Sequence, residues 1–193
     1  MQSPVIDFLL TRCSTPISAI GLPAPTDEEI ETMIRIASRV PDHGRLAPWR
    51  FILYRGKARE AIGEALVSLA EERQGSMNDS QKDKERTRFS RAPLVIGVVF
   101  RPVEHHIPQW EQFLSAGAAA MNLLHAATGM GYAANWISNW YADDEKGRAL
   151  LGLAPHERVA GFVHIGSSQT KVPERPRPDV KDLISDYTGP WKG

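Results

Sequence analysis

"WEQFLSAGAAAMNLLHAATGMGYAANWIS", residues 110–138, decides the class of fold. It sits inside a stretch, residues 112–142, without a single charged side chain. Length alone would suit a membrane span. The content argues otherwise, because Ser115, Asn122, His125, Thr128 and Asn135 are scattered through it and Gly129 and Gly131 interrupt it. A buried helix over about 113–130, followed by a buried strand over "GYAANWIS", fits the pattern. The run Ala116-Gly117-Ala118-Ala119-Ala120 lets another backbone approach closely, from the same chain or from a second copy.

Working outward, apolar runs alternate with amphipathic ones. "APLVIGVVF", ending at Phe100, is continuous, as a strand buried on both faces would be. "WRFILYRG" at 49–56 and "ERVAGFVHIGS" at 157–167 read as further strands. Thr26 with Glu29 three residues later is a capping box, and Ile30, Met33, Ile34 and Ala37 follow at helical spacing until Pro41 forbids continuation. Ser3 can cap a short helix to about Arg12, residues 57–73 form a second amphipathic helix, and "DDEKGRALLGL" at 143–153 a third. The charge-rich "GSMNDSQKDKERTRFS", residues 75–90, reads as an exposed helix or flap, and 179–187 as a short tail helix. The expectation is an α+β fold in three layers, α/β/α, with a central mixed sheet flanked by helices. One domain would cover 1–193, with 167–193 as a C-terminal extension.

Bulk composition narrows the function. Lys plus Arg and Asp plus Glu both number 23, so the broad cationic footprint of a nucleic-acid binder is missing and any anion must be bound locally. A single cysteine, Cys13, excludes an internal disulfide and a Cys-based zinc site. The opening "MQSPVIDFLLTRC" has no basic leader, which points to the cytoplasm and to no membrane partner. No glycine-rich phosphate loop follows a strand, and the G-x-G at 129–131 precedes a strand rather than a helix. "EHHIPQWE" at 104–111 invites a metal reading, but adjacent histidines on a strand point apart and lack i, i+4 spacing, so no metal is expected.

The ordered set "RCS" (12–14), "RVPDHGRLAPWRF" (39–51), "RAPLVIGVV" (91–99), "IPQWEQ" (107–112), "SAGAAAMNLLHAATGMGYAANW" (115–136), "VAGFVHIG" (159–166) and "RPRPD" (175–179) resembles the FMN-dependent nitroreductase family, in particular its small, minimal members. The resemblance implies an intertwined homodimer with an FMN in each groove between subunits. It implies hydride transfer from NAD(P)H through flavin N5 to nitroaromatic, quinone or similar electron-poor acceptors, in ping-pong fashion. The flavin would do the chemistry and the protein would bind and orient it, so no catalytic side chain is named.

By resemblance, Arg12, Cys13 and Ser14 meet the phosphate or ribityl end. A guanidinium grips a phosphate through paired hydrogen bonds, although Arg12 could instead complement the negative end of the first helix. Cys13 stands where relatives carry a second Arg. Arg39 and His43 would reach a flavin held chiefly by the other subunit. Arg45 and Ala47 replace the Asn and Gln common in this loop, and Arg45 could face a nicotinamide nucleotide's phosphate or solvent. Trp136, Ile137 and Ser138 would lie beside the isoalloxazine, or form an ordinary core strand. Gly166 and Arg177 complete the cofactor set, with Lys171 and Arg175 as neighbouring basic residues. Ala126, Ala127, Thr128, Gly129, Met130 and Gly131 correspond to a stretch assigned to the nicotinamide nucleotide. The departures at Cys13, Ala47 and Ile137 leave an alternative, a flavin carrier or redox-responsive module with little turnover.

Overall fold

The computed structural model describes residues 3–190. Helix α1 (Pro4–Thr11) starts where the Ser3 hydroxyl accepts the Val5 N–H, with Pro at the first helical position, where its missing N–H costs nothing. α2 (Asp27–Ala37) carries the capping box in both directions, and buries Ile30, Met33 and Ala37. β1 is Trp49–Arg55, α3 Ala58–Gln74, α4 Asp79–Arg86, β2 Leu94–Phe100, α5 Gln109–Gly129, β3 Ala133–Ile137, α6 Glu145–Leu150 and β4 Arg158–Gly166.

The sheet runs β1-β2-β4-β3. Period-2 alternation splits it into two cores. Leu94, Ile96, Val98, Val163 and Ile165 face α2 and α5, packing on Met33, Ala119, Ala120 and Leu123. Val95, Val99 and Phe162 face the other way, against Leu66, Phe89, Tyr141 and Leu151. The three layers expected from the sequence are therefore present. A mixed sheet is not: all three strand pairings are antiparallel. The physical reason is that β2, buried at all seven positions, owes its continuous apolar run to helices on both faces. Such cover hides strand direction, which burial does not encode.

Residues 75–90 are also less exposed than their charge suggests. Asn78 and Gln81 form a second capping box for α4. Glu85 and Phe89 are buried. α3 and α4 meet so closely that a Cβ added to Gly63 would lie 1.9 Å from the Arg86 carbonyl oxygen. The tail helix expected at 179–187 shrinks to an exposed single 3-10 turn, Val180–Leu183. His105 and His106 do not point apart, since they lie outside any strand and their rings stand 4.2 Å apart. Among the described residues no helix is long and apolar enough to cross a membrane.

α1 buries none of its residues. Phe8 touches α5 edge-on at His125, while Val5, Leu9 and Leu10 remain exposed, as do Trp110, Phe113 and Leu114 on α5.

Candidate cofactor site

The chain leaves α1 at Arg12, whose N–H still bonds the Phe8 carbonyl. Residues 13–15 then run beside β3: the Thr15 N–H donates to the Ala134 carbonyl at 3.0 Å, and Asn135 Nδ2 donates to the Thr15 carbonyl at 2.7 Å. Farther on, Gly21 and Ser167 exchange backbone hydrogen bonds at 2.8 and 2.7 Å, tying this segment to the end of β4. The tail returns over it. Arg12, Cys13 and Ser14 line one cavity of about 150 Å³ with Val172, Pro173, Arg175 and Arg177.

Three cations thus converge on a small space. Arg177 is partnered by Glu174 at 2.8 Å, and the Cys13 thiol donates to the same carboxylate at 3.3 Å. The Arg177 and Cys13 contacts hold the Glu174 carboxyl below its usual range. Arg12 is different. Its Nη1 is buried and has no hydrogen-bond partner, and no carboxylate pairs with it among the described residues. A buried guanidinium nitrogen without an acceptor costs free energy unless something else supplies one. A phosphate group fits this space, this charge and this orphaned donor.

Trp136 extends the same side of the molecule. Its indole N–H donates to the Ala160 carbonyl at 3.3 Å, and the ring lies so close to β4 that a Cβ on Gly161 would come within 1.7 Å of Nε1. Ile137 is half-buried and Ser138 exposed just after the strand. At Gly166 a Cβ would meet the Gly21 carbonyl at 2.5 Å and Pro93 at 2.7 Å, so close packing requires this glycine. Ala126 and Ala127 put their side chains into the core, which leaves the 128–131 turn at the surface. The carbonyls of Ala126, Ala127 and Thr128 are already taken by Met130, Tyr132 and Gly131 N–H groups.

Arg39 and His43 belong to a second group, on the α5 side. Asn122 Nδ2 donates to the Arg39 carbonyl at 3.0 Å, and Ser115 Oγ to the Pro41 carbonyl at 2.5 Å. His43 Nδ1 is 2.8 Å from Glu111 Oε2. Pro41, His43, Glu111 and Ser115 border an apolar cleft of about 430 Å³ with Trp110, Leu114 and Ala118. The loop between the two prolines is strained: Gly44, Arg45 and Ala47 all have positive φ, of 73°, 55° and 46°. For Arg45 and Ala47 this costs of order 1–2 kcal/mol each. Asp42 holds them there, its carboxylate accepting the Leu46 N–H at 3.1 Å and the Ala47 N–H at 2.8 Å. Gly44, at φ 73°, takes the left-handed conformation that glycine adopts without strain.

Sequence reasoning did not find Asp42, Glu111, Ser115 or Glu174. An Asp directly after Pro41 is a turn signal that was available. Nothing local marks the other three, whose partners are distant in sequence.

The Nitroreductase family profile matches residues 22–167. The chain belongs to the nitroreductase family. YdjA of Escherichia coli (strain K12), provisionally named an NAD(P)H nitroreductase, is 34% identical over 167 residues, 86% of this chain and 89% of its own length. A similarly named Haemophilus influenzae protein is 33% identical over 183 residues, 93% and 97% of the two chains. Among solved structures, the nitroreductase-like family protein of Bacillus cereus superposes with a TM-score of 0.80 at 19% identity, covering 98% of each chain. A Desulfovibrio desulfuricans structure, described as a nitroreductase in complex with FMN, gives 0.74 at 21% identity, covering 98% of this chain and 100% of that one. In this nitroreductase-family chain the profile spans 22–167, so both the 12–14 segment and the tail that closes its cavity lie outside the profile match.

Proposed function

We propose that this protein is an FMN-dependent oxidoreductase that takes hydride from NAD(P)H and delivers it to small electron-poor acceptors such as nitroaromatics or quinones, working as a homodimer. The observation that carries the reading is Arg12, whose Nη1 is buried and unpartnered and which lines a cavity with Ser14, Arg175 and Arg177. Arg12 and Ser14 would hold the phosphate, and Trp136, Ile137 and Ser138 would border the ring system. FMN, when bound, supplies the two-electron chemistry, for which the protein needs no nucleophile of its own. The relatives named as NAD(P)H nitroreductases and the FMN-bound family structure support the same assignment.

Two copies are part of the proposal. Hydrogen bonds tie 12–15 to β3 and tie 39–41 to α5, which leaves the two residue groups on separate elements of one chain. A second copy docking on exposed α1 and α5 would cover Val5, Leu9, Leu10, Trp110 and Leu114, and would bring Arg39 and His43 to its neighbour's flavin. Purified protein should be yellow and dimeric by sedimentation, and its flavin absorbance should bleach when NADH or NADPH is added without oxygen. A flavin that binds and stays oxidised with both nucleotides would refute the hydride-transfer reading. A colourless monomer that takes up no added FMN would refute the whole assignment.

A further inference from the structure

On the opposite side of the sheet from α5, a cavity of about 260 Å³ opens between α3, α4 and the turn at Trp140. It shares no lining residue with the 12–14 cavity or the His43 cleft. Its floor is prebuilt. Glu85, itself buried, accepts from Arg88 Nε at 3.2 Å, Arg88 Nη2 at 2.7 Å and the Trp140 indole N–H at 3.0 Å. That carboxylate takes three donors and neutralises Arg88. The Arg73 guanidinium lies over the Trp140 ring at 4.7 Å. Its Nε also pairs loosely with Asp144 Oδ2, at 3.6 Å.

The rest of the lining is rich in donors and short of acceptors. Lys84 has no carboxylate partner among the described residues. Gln81 spends its carbonyl oxygen on the Asn78 N–H at 2.9 Å, which leaves its amide NH2. Gln74 directs its NH2 at the Met77 thioether sulfur, 2.9 Å away. A thioether is a weak acceptor, and an amide settles for it where nothing better is in reach. Two cations and two amide donors thus surround an open space whose one acid is already satisfied.

We propose that this cavity is a binding site for a small phosphate monoester. A dianionic phosphate would face Arg73, held only loosely by Asp144, and Lys84, and its three oxygens can take the Arg73, Lys84 and Gln81 donors together. Trp140, Met77 and Ala70 form an apolar wall for the ester group. The site is independent of the flavin assignment.

Phenyl phosphate titrated calorimetrically into protein saturated with FMN tests it, with phenol as the uncharged control. Phenyl phosphate should bind saturably at one site per chain while phenol does not. Lys84→Ala should weaken binding at least tenfold; Lys84 lies on the surface of α4, so the fold should survive. Arg73→Ala should weaken it further. Arg12→Ala, which affects the flavin cavity, should leave phenyl phosphate affinity unchanged, and so separates failure here from failure of the flavin reading. The absence of saturable binding at millimolar concentrations, or binding indifferent to Lys84→Ala, would overturn the proposal.

Discussion

Replacing Arg12 by Ala separates a cofactor-holding arginine from a merely structural one, because the two roles predict opposite signs in the cofactor-free protein. As it stands, Nη1 is buried and unsatisfied, a state that costs roughly 1–3 kcal/mol. Removing it should therefore leave the apoprotein as stable as before or slightly more so. At about 2–4 °C per kcal/mol for a chain of this size, Tm should hold or rise by a few degrees. With FMN the sign reverses. A forked guanidinium–phosphate grip involves two charge-assisted hydrogen bonds of about 1.5–3 kcal/mol each. Losing it costs about 3 kcal/mol or more, or roughly a hundredfold and upward in Kd. Flavin-fluorescence titration of the stripped protein measures the affinity, and thermal unfolding with and without FMN measures the stabilities. Arg12→Lys keeps the charge without the fork and should fall between. Unchanged FMN affinity in Arg12→Ala, or an apoprotein destabilised as much as the holoprotein, would refute the reasoning.

Other substitutions probe the scaffold. Gly161→Ala puts a methyl group into the Trp136 indole; overpacking of this kind costs about 1–3 kcal/mol, and thermal unfolding together with flavin retention should both decline. His164 is fully buried with both ring nitrogens unpartnered, and burial first, then the nearby Arg91, pushes its pKa down to about 4. The unfolded chain takes up that proton near pH 6.5 and the folded one does not. The stability His164 allows is therefore complete above about pH 6.5 and is lost as pH falls toward 4, by about 3 kcal/mol in total. In His164→Leu, urea unfolding across this window should show a shallower loss. Asp42→Ala removes the acceptor for two loop N–H groups and should cost about 1–2 kcal/mol, with faster amide exchange at Leu46 and Ala47. Glu174→Gln removes the carboxylate that engages Arg177 and Cys13; with that internal anion gone, FMN should bind tighter in the fluorescence titration, and weaker binding would show that Glu174 holds the tail in its binding form.

What the sequence disclosed follows from what is local. Capping at Ser3 and Thr26, the stop at Pro41 and the helix-then-strand reading of 110–138 rest on neighbours within a few residues, and the structure has each. Strand direction is not local. β2 looks the same from sequence whether its partners run parallel or antiparallel, because α2 and α5 cover one face and α3 the other. For the charged 75–90 segment, read as an exposed helix or a flap, the helix is what forms, α4 at Asp79–Arg86. Two of its cations pair with α3, Arg86 with Glu64 and Lys82 with Glu71, which packs the helix against α3 rather than leaving an open flap.

The cofactor cavity divides along the same line. "RCS" was legible as a cationic, hydroxyl-bearing turn, and "RPRPD" as an extended basic tail. Their meeting could not be read, since it depends on contacts across more than 160 residues, such as Cys13 to Glu174. Those contacts also change the chemical reading. Arg177, the better tail candidate by sequence, is occupied by Glu174 at 2.8 Å, whereas Arg12, which could have been no more than a helix-end cation, is the group left without an acceptor. An occupied cation must exchange one anion for another, and the exchange returns little free energy. An orphaned one gains the full interaction. The phosphate assignment therefore leans on Arg12, and the tail supplies enclosure first and charge second.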